Sequence, residues 1–123
     1  MIGLWLAAQV VDAQNPCVTQ RNQMEMNDCS RRNYDAANTD LNRTWRILLV
    51  EVRKFDREQE HATYPGVVSA QRDWLKFRDS ECKAEADQYF GASLRPVVLF
   101  DCLRRVTSAR TKELNDLAEE YRR

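Results

Sequence analysis

Between Cys17 and Tyr64 the chain contains no glycine or proline. Within that stretch Tyr34, Ala37, Leu41, Trp45, Leu48, Val52 and Phe55 recur at steps of three and four residues. Such spacing lines up one face of an α-helix. The positions between them carry Asp40, Asn42, Arg43, Arg46, Glu51, Arg53 and Lys54, which form a solvated opposite face. Tyr64-Pro65-Gly66 is a turn signal, so residues 61–66 read as a loop. A second helix is expected from about Val67 to Tyr89. Its apolar stripe is Val67, Val68, Trp74, Leu75, Phe77 and Cys82, with Gln71 and Arg78 on the same side. Gly91 suits a C-terminal stop. Pro96 suits the first turn of a third helix, where its fixed φ is favourable and its missing N–H costs nothing. That helix carries Leu99, Cys102, Leu103, Val106, Leu114 and Leu117.

Two short connections make consecutive helices antiparallel neighbours, so the expected fold is all-α, an antiparallel three-helix bundle. The first helix is longer than the others. Thr19 is a plausible N-cap for it; alternatively, residues 17–29 bend or form a separate short helix.

The length of 123 residues fits one domain. With 43% apolar and 31% charged residues the chain is globular with a heavily solvated surface. Three glycines and three prolines are too few turn residues for a β-sandwich. The 19 basic and 19 acidic side chains cancel. Binding to phosphate backbones needs a basic excess, so nucleic acid is not the expected partner. Arg31-Arg32 and Arg104-Arg105 read as solvated helix faces.

The four cysteines are Cys17, Cys29, Cys82 and Cys102. An even count in a short chain suggests two disulfides. A zinc site normally uses close C-x-x-C pairs, which are absent, so no metal is expected. Cys82 and Cys102 lie at similar distances from the turn near residue 92 and on core-facing stripes, so a bridge between them is geometrically easy. That would leave Cys17 with Cys29, which requires the intervening chain to fold back. If Thr19 starts one straight helix, the pairing must change, and sequence alone allows three connectivities.

Residues 2–11 form a short apolar run, and Val11-Asp12-Ala13 resembles a cleavage site before Gln14. The run is too short to span a bilayer and lacks a basic start. We read residues 1–13 as a shortened signal peptide and 14–123 as the domain, the alternative being a hydrophobic helical turn packed on the domain. Removing residues 1–13 takes away Asp12 and leaves 19 basic against 18 acidic side chains, a charge near +1.

Catalytic signatures are sparse. His61, the one histidine, falls in the loop with no nucleophile beside it. There is no glycine-rich phosphate loop and no H-E-x-x-H. Pairs such as Glu81 with Glu85 and Glu119 with Glu120 read as helix surface. The expectation is a non-enzyme without a cofactor. More distinctive is Gln71, Trp74, Arg78 and Cys82 on one helical face. Polar groups on a core side are costly unless they find partners. Arg78, for which Glu25 or Glu85 could supply the charge, and Arg110 on the third helix therefore read as a buried polar network fixing helix register.

These residues carry a resemblance. Thr19-Gln20 with Glu25-Met26-Asn27 and Cys29, then Tyr34 and Leu41-Asn42, then Gln71-Arg72-x-Trp74-Leu75-x-Phe77-Arg78-Asp79 with Cys82, then Gly91-x-Ser93, Cys102-Leu103 and Thr107-x-x-Arg110 with Leu114 are similar to the LprI-like lysozyme-inhibitor family of small bacterial envelope proteins. Trp45 stands where the family often has tyrosine, and Gly91-Ala92-Ser93 varies a Gly-Gly-Ser turn. The resemblance implies a periplasmic or secreted protein that binds lysozyme and blocks it sterically. In that reading Glu25, Asn27, Gln71, Trp74, Arg78 and Arg110 are structural. Animal lysozymes are basic, so Asp73, Asp79, Glu81, Glu85 and Asp87 are the candidate partner contacts. The alternative is an envelope interaction module with a different protein partner.

Overall fold

The computed structural model describes residues 16–123. Three α-helices account for most of them: α1 (Gln23–Gln59), α2 (Tyr64–Ala86) and α3 (Arg95–Arg122). A short 3-10 helix, Pro16–Thr19, precedes α1, and another, Asp87–Tyr89, continues α2. The segment read as a signal peptide lies outside the described residues.

Local chemistry explains each helix boundary, and two differ from expectation. Thr19 does not cap α1; it ends the 3-10 helix. The cap is Asn22, whose side-chain oxygen accepts from the Glu25 N–H at 2.9 Å, while the Glu25 carboxylate reaches back to the Arg21 N–H at 3.2 Å. An Asx residue followed three positions later by Glu is a reciprocal capping arrangement that satisfies otherwise orphaned donors. The short 3-10 helix and the extended Asn22 thus provide the fold-back that a Cys17–Cys29 bridge needs.

The second difference is α2, which opens at Tyr64, inside the expected loop, with Pro65 in its first turn. Proline loses no hydrogen bond there. Thr63 makes no side-chain cap. Asp56, on the last turns of α1, substitutes for it: its carboxylate accepts from the Thr63 N–H at 2.8 and 2.9 Å and from the Tyr64 N–H at 2.9 Å. α1 itself closes on Glu60 in the left-handed region, φ 51°.

Tyr34 stacks near Phe100, with ring centroids 6.2 Å apart, and Phe55 meets Tyr121 edge-on at 5.2 Å. α1 and α3 therefore run parallel, and α2 runs antiparallel to both. α1 and α3 share the most extensive interface, whereas α2 leans chiefly on α3. The central core is Leu41, Leu48 and Val52 of α1 with Leu114 and Ala118 of α3, flanked by Trp45, Tyr64, Val67, Trp74, Leu117 and Tyr121. Each fully buried aliphatic side chain contributes about 1.5–3 kcal/mol. The first-helix stripe is thus on the core side, but the second is not wholly so: Leu75 and Phe77 are exposed. At about 100° per residue Phe77 falls on the flank of the stripe formed by Gln71, Trp74, Arg78 and Cys82, about 60° beyond Trp74, where it is 55% exposed.

Both disulfides form, Cys17–Cys29 and Cys82–Cys102, and none of the cysteines is free. By loop closure each contributes about 3 kcal/mol, a large share of a small domain's margin.

Candidate functional site

The five candidate acidic contacts do not form one free cluster. Asp79 is exposed but accepts from the Arg78 guanidinium at 3.0 Å. Glu85 is bound by Arg105, whose terminal nitrogen lies 2.8 and 3.1 Å from its two oxygens. Asp87 holds Lys83 at 2.8 Å and Arg95 at 2.9 Å. Hydrogen bonds from Lys83 and then Arg95 hold the Asp87 carboxyl below the usual carboxylate range, against the opposing effect of desolvation. Asp73 and Glu81 are exposed and make no ion pair among the described residues. They lie four residues either side of the exposed Phe77, on the outer face of α2.

Arg78 and Arg110 enclose Trp74. The Arg78 guanidinium sits 5.3 Å from the Trp74 ring and 5.6 Å from the Tyr34 ring, and that of Arg110 sits 5.8 Å from Trp74. Such stacking lets a desolvated guanidinium keep a favourable electrostatic environment. Neither Glu25 nor Glu85 supplies a partner to Arg78. Its polar contacts are the adjacent Asp79 and the Thr107 hydroxyl at 3.4 Å, because Glu25 is held at the α1 cap and Glu85 is taken by Arg105. Arg110 donates to the Gln71 side-chain oxygen at 3.0 Å. The layer Tyr34–Arg78–Trp74–Arg110–Gln71 thus joins all three helices.

Glu25 and Asn27 sit at the other polar junction. Glu25 completes the α1 cap, and Asn27 accepts from the Gln23 side-chain amide at 2.7 Å. Nearby, Asn33 donates to the Cys17 Sγ at 3.2 Å. His61 is exposed in the α1–α2 connection. Among the described residues no three His, Cys, Asp or Glu side chains converge as a metal site would require, and no helix is long and apolar enough to cross a membrane.

With this geometry in view, the comparison with known families is decisive. The family model described as "Lysozyme inhibitor LprI" matches residues 13–114. The chain belongs to the LprI family. A relative from Rhizobium meliloti (strain 1021), an uncharacterized protein, is 33% identical over 117 residues, covering 88% of this chain and 84% of its own. No solved structure matches.

The stretch matched to LprI takes in all four cysteines, the α1 cap, the arginine–tryptophan layer and the whole α2–α3 connection. It also contains groups that the sequence reading passed over. Asp56 is one, and its effect is electrostatically visible. Desolvation raises its pKa, but the Thr63 and Tyr64 N–H donors, the Thr63 hydroxyl and His61 together outweigh that and leave it lowered. Asp101, buried on α3, binds Arg104 and Arg105 at 3.1 and 3.0 Å. The i, i+3 and i, i+4 spacing of those charges was a readable signal. Phe90 is the most exposed large apolar side chain among the described residues, at 83%.

The surface also carries shallow depressions, one of about 390 Å³ beside the α1 cap, lined by Thr19, Gln20, Arg21, Glu25, Asp28 and Arg32. A groove of about 420 Å³ lies between the far ends of α1 and α3, lined by Glu51, Phe55, Glu58, Leu117, Tyr121 and Arg122. A notch of about 220 Å³ lies where α2 stands off from α1, lined by Leu48, Val67, Ala70, Arg110 and Leu114.

Proposed function

We propose that this chain is exported, with residues 1–13 removed, and that it binds lysozyme and inhibits it by obstructing the sugar-binding cleft, with no chemistry of its own. The observation that carries the reading is the LprI family match across residues 13–114. The two disulfides suit an oxidising compartment outside the cytoplasm. Of the acidic candidates, Asp73 and Glu81 retain free charge to draw in a basic lysozyme, while Asp79, Glu85 and Asp87 spend theirs on side chains of this chain.

The test is a cell-wall lysis assay with purified oxidised protein titrated against lysozymes of several classes. Loss of lysis at near-stoichiometric inhibitor supports the reading; unchanged lysis at large molar excess with every class contradicts it. The internal pairing of three of the five acidic side chains favours keeping one alternative, an envelope module with a different protein partner. Repeated recovery of one other protein from periplasm, together with unimpaired lysis, would establish that alternative.

A further inference from the structure

We infer that the tip of the α2–α3 connection, Phe90-Gly91-Ala92-Ser93, is the part of this chain that enters the lysozyme cleft, with Phe90 as its anchor; this rests on the inhibitor reading above. The connection separates its apolar residues sharply. Tyr89 and Leu94 turn inward and pack, with Leu99, on Ala86 and Val98. Phe90, between them, is 83% exposed and takes no part in that cluster. A large ring held out in water contributes nothing to folding, whereas a buried aromatic is a common centre of binding energy.

The tip is held in one shape before any partner arrives. The Phe90 N–H donates to the Asp87 carbonyl at 3.2 Å, the Ala92 N–H to Tyr89 at 2.9 Å and the Arg95 N–H to Ala92 at 3.2 Å. Gly91 adopts φ +75°, which a side chain would oppose, and a Cβ there would point into open space. Below the tip, Asp87 ties Lys83 to Arg95, Arg105 ties Glu85 to Asp101, and Cys82–Cys102 links the helices covalently. Little conformational freedom is left to lose on binding.

Shape and charge select the partner surface. A helix face is broad, but a tight connection between two antiparallel helices is narrow and convex, as a cleft requires. A glycosidase cleft carries two carboxyl groups flanking the bond to be cut. No aspartate or glutamate occurs between Asp87 and Asp101, and Lys83 and Arg95, which share the single carboxylate of Asp87, leave the base of the tip with one positive charge in excess. The other strongly exposed phenylalanine, Phe77, at 55%, is bracketed by Asp73 and Glu81, which would bring like charge to such a cleft. Met24, 72% exposed in the first turn of α1, is a second exposed apolar side chain at this end of the bundle.

The experiment measures inhibition of lysozyme by the full chain and by Phe90→Ala, with Phe77→Ala as the comparison and thermal melting of each as the fold control. Phe90→Ala is expected to melt like the wild type and to raise the half-inhibitory concentration by about 30-fold or more, the size of a binding hot spot. Phe77→Ala is expected to inhibit as the wild type does. An oligomer of N-acetylglucosamine should compete with the wild-type chain for lysozyme. Wild-type inhibition that survives Phe90→Ala unchanged, or that the sugar oligomer does not relieve, overturns the tip assignment while leaving the inhibitor reading intact. A wild-type chain that inhibits no lysozyme overturns both.

Discussion

The two ends of the bundle are closed by different physics. At one end, where α1 and α3 begin and α2 finishes, two disulfides tie the chain, one within the start of α1 and one between α2 and α3, with the Asp87 and Arg105 ion pairs beside the second. At the other, α1 passes to α2 through a short connection held by one carboxylate, Asp56, with the Phe55–Tyr121 contact and the Glu51–Arg122 pair at 3.4 Å beside it. Oxidation has been invested where the exposed Phe90 and Met24 stand, not where the helices could fray into solvent. Rigidity placed at one end of a small domain is what a preformed binding surface needs.

Replacing Cys82 and Cys102 together by serine should have the largest effect, a loss of about 3 kcal/mol in urea unfolding. It should also weaken lysozyme inhibition, because the tip loses its covalent base. Arg78→Ala, in the layer between the two ends, should cost about 2 kcal/mol through lost stacking on Tyr34 and Trp74. Its effect on inhibition should be no more than the lost stability explains.

Asp56→Asn should lower the melting temperature less than either change, with no effect on inhibition. Its pH dependence is diagnostic. The folded-state pKa of Asp56 is lowered, so its contribution is present at neutral pH and is lost as pH falls through the ordinary aspartate value to the lower folded one. The melting difference between wild type and Asp56→Asn should therefore shrink on acidification. The Asp87 carboxyl is also lowered, but acid leaves the neighbouring disulfide intact. Amide exchange in acid should thus rise first around residues 56–66. The smallest effect belongs to Glu60→Gly, which relieves a left-handed backbone and should stabilise by up to about 1 kcal/mol.

Much of this contrast was legible in the chain itself. The periodicity of Tyr34 to Phe55 located α1 and its core face, and the symmetric placement of Cys82 and Cys102 about a turn pointed to their bridge. The α1 start was not: the sequence pointed to Thr19, whereas the cap is Asn22 with Glu25 three residues on. Nor was the start of α2, because Tyr64-Pro65-Gly66 suits a turn and a proline-opened helix equally. What decides between them is Asp56, seven residues before Thr63 and brought near only by the fold. Phe77 was assigned to the apolar stripe of α2 but is exposed, and Phe90 showed no periodicity at all. An acidic cluster read from α2 also looked more available than it is, because Arg105 and Arg95 reach it from α3.

The central claim is that partner contact belongs to the disulfide-stapled end. Backbone amide hydrogen exchange of the oxidised chain, alone and with excess lysozyme, tests this most directly. The account predicts new protection concentrated at residues 87–95, with a weaker gain near residues 23–29. Protection confined to residues 56–66 or to the outer face of α2 around residue 77 would contradict it.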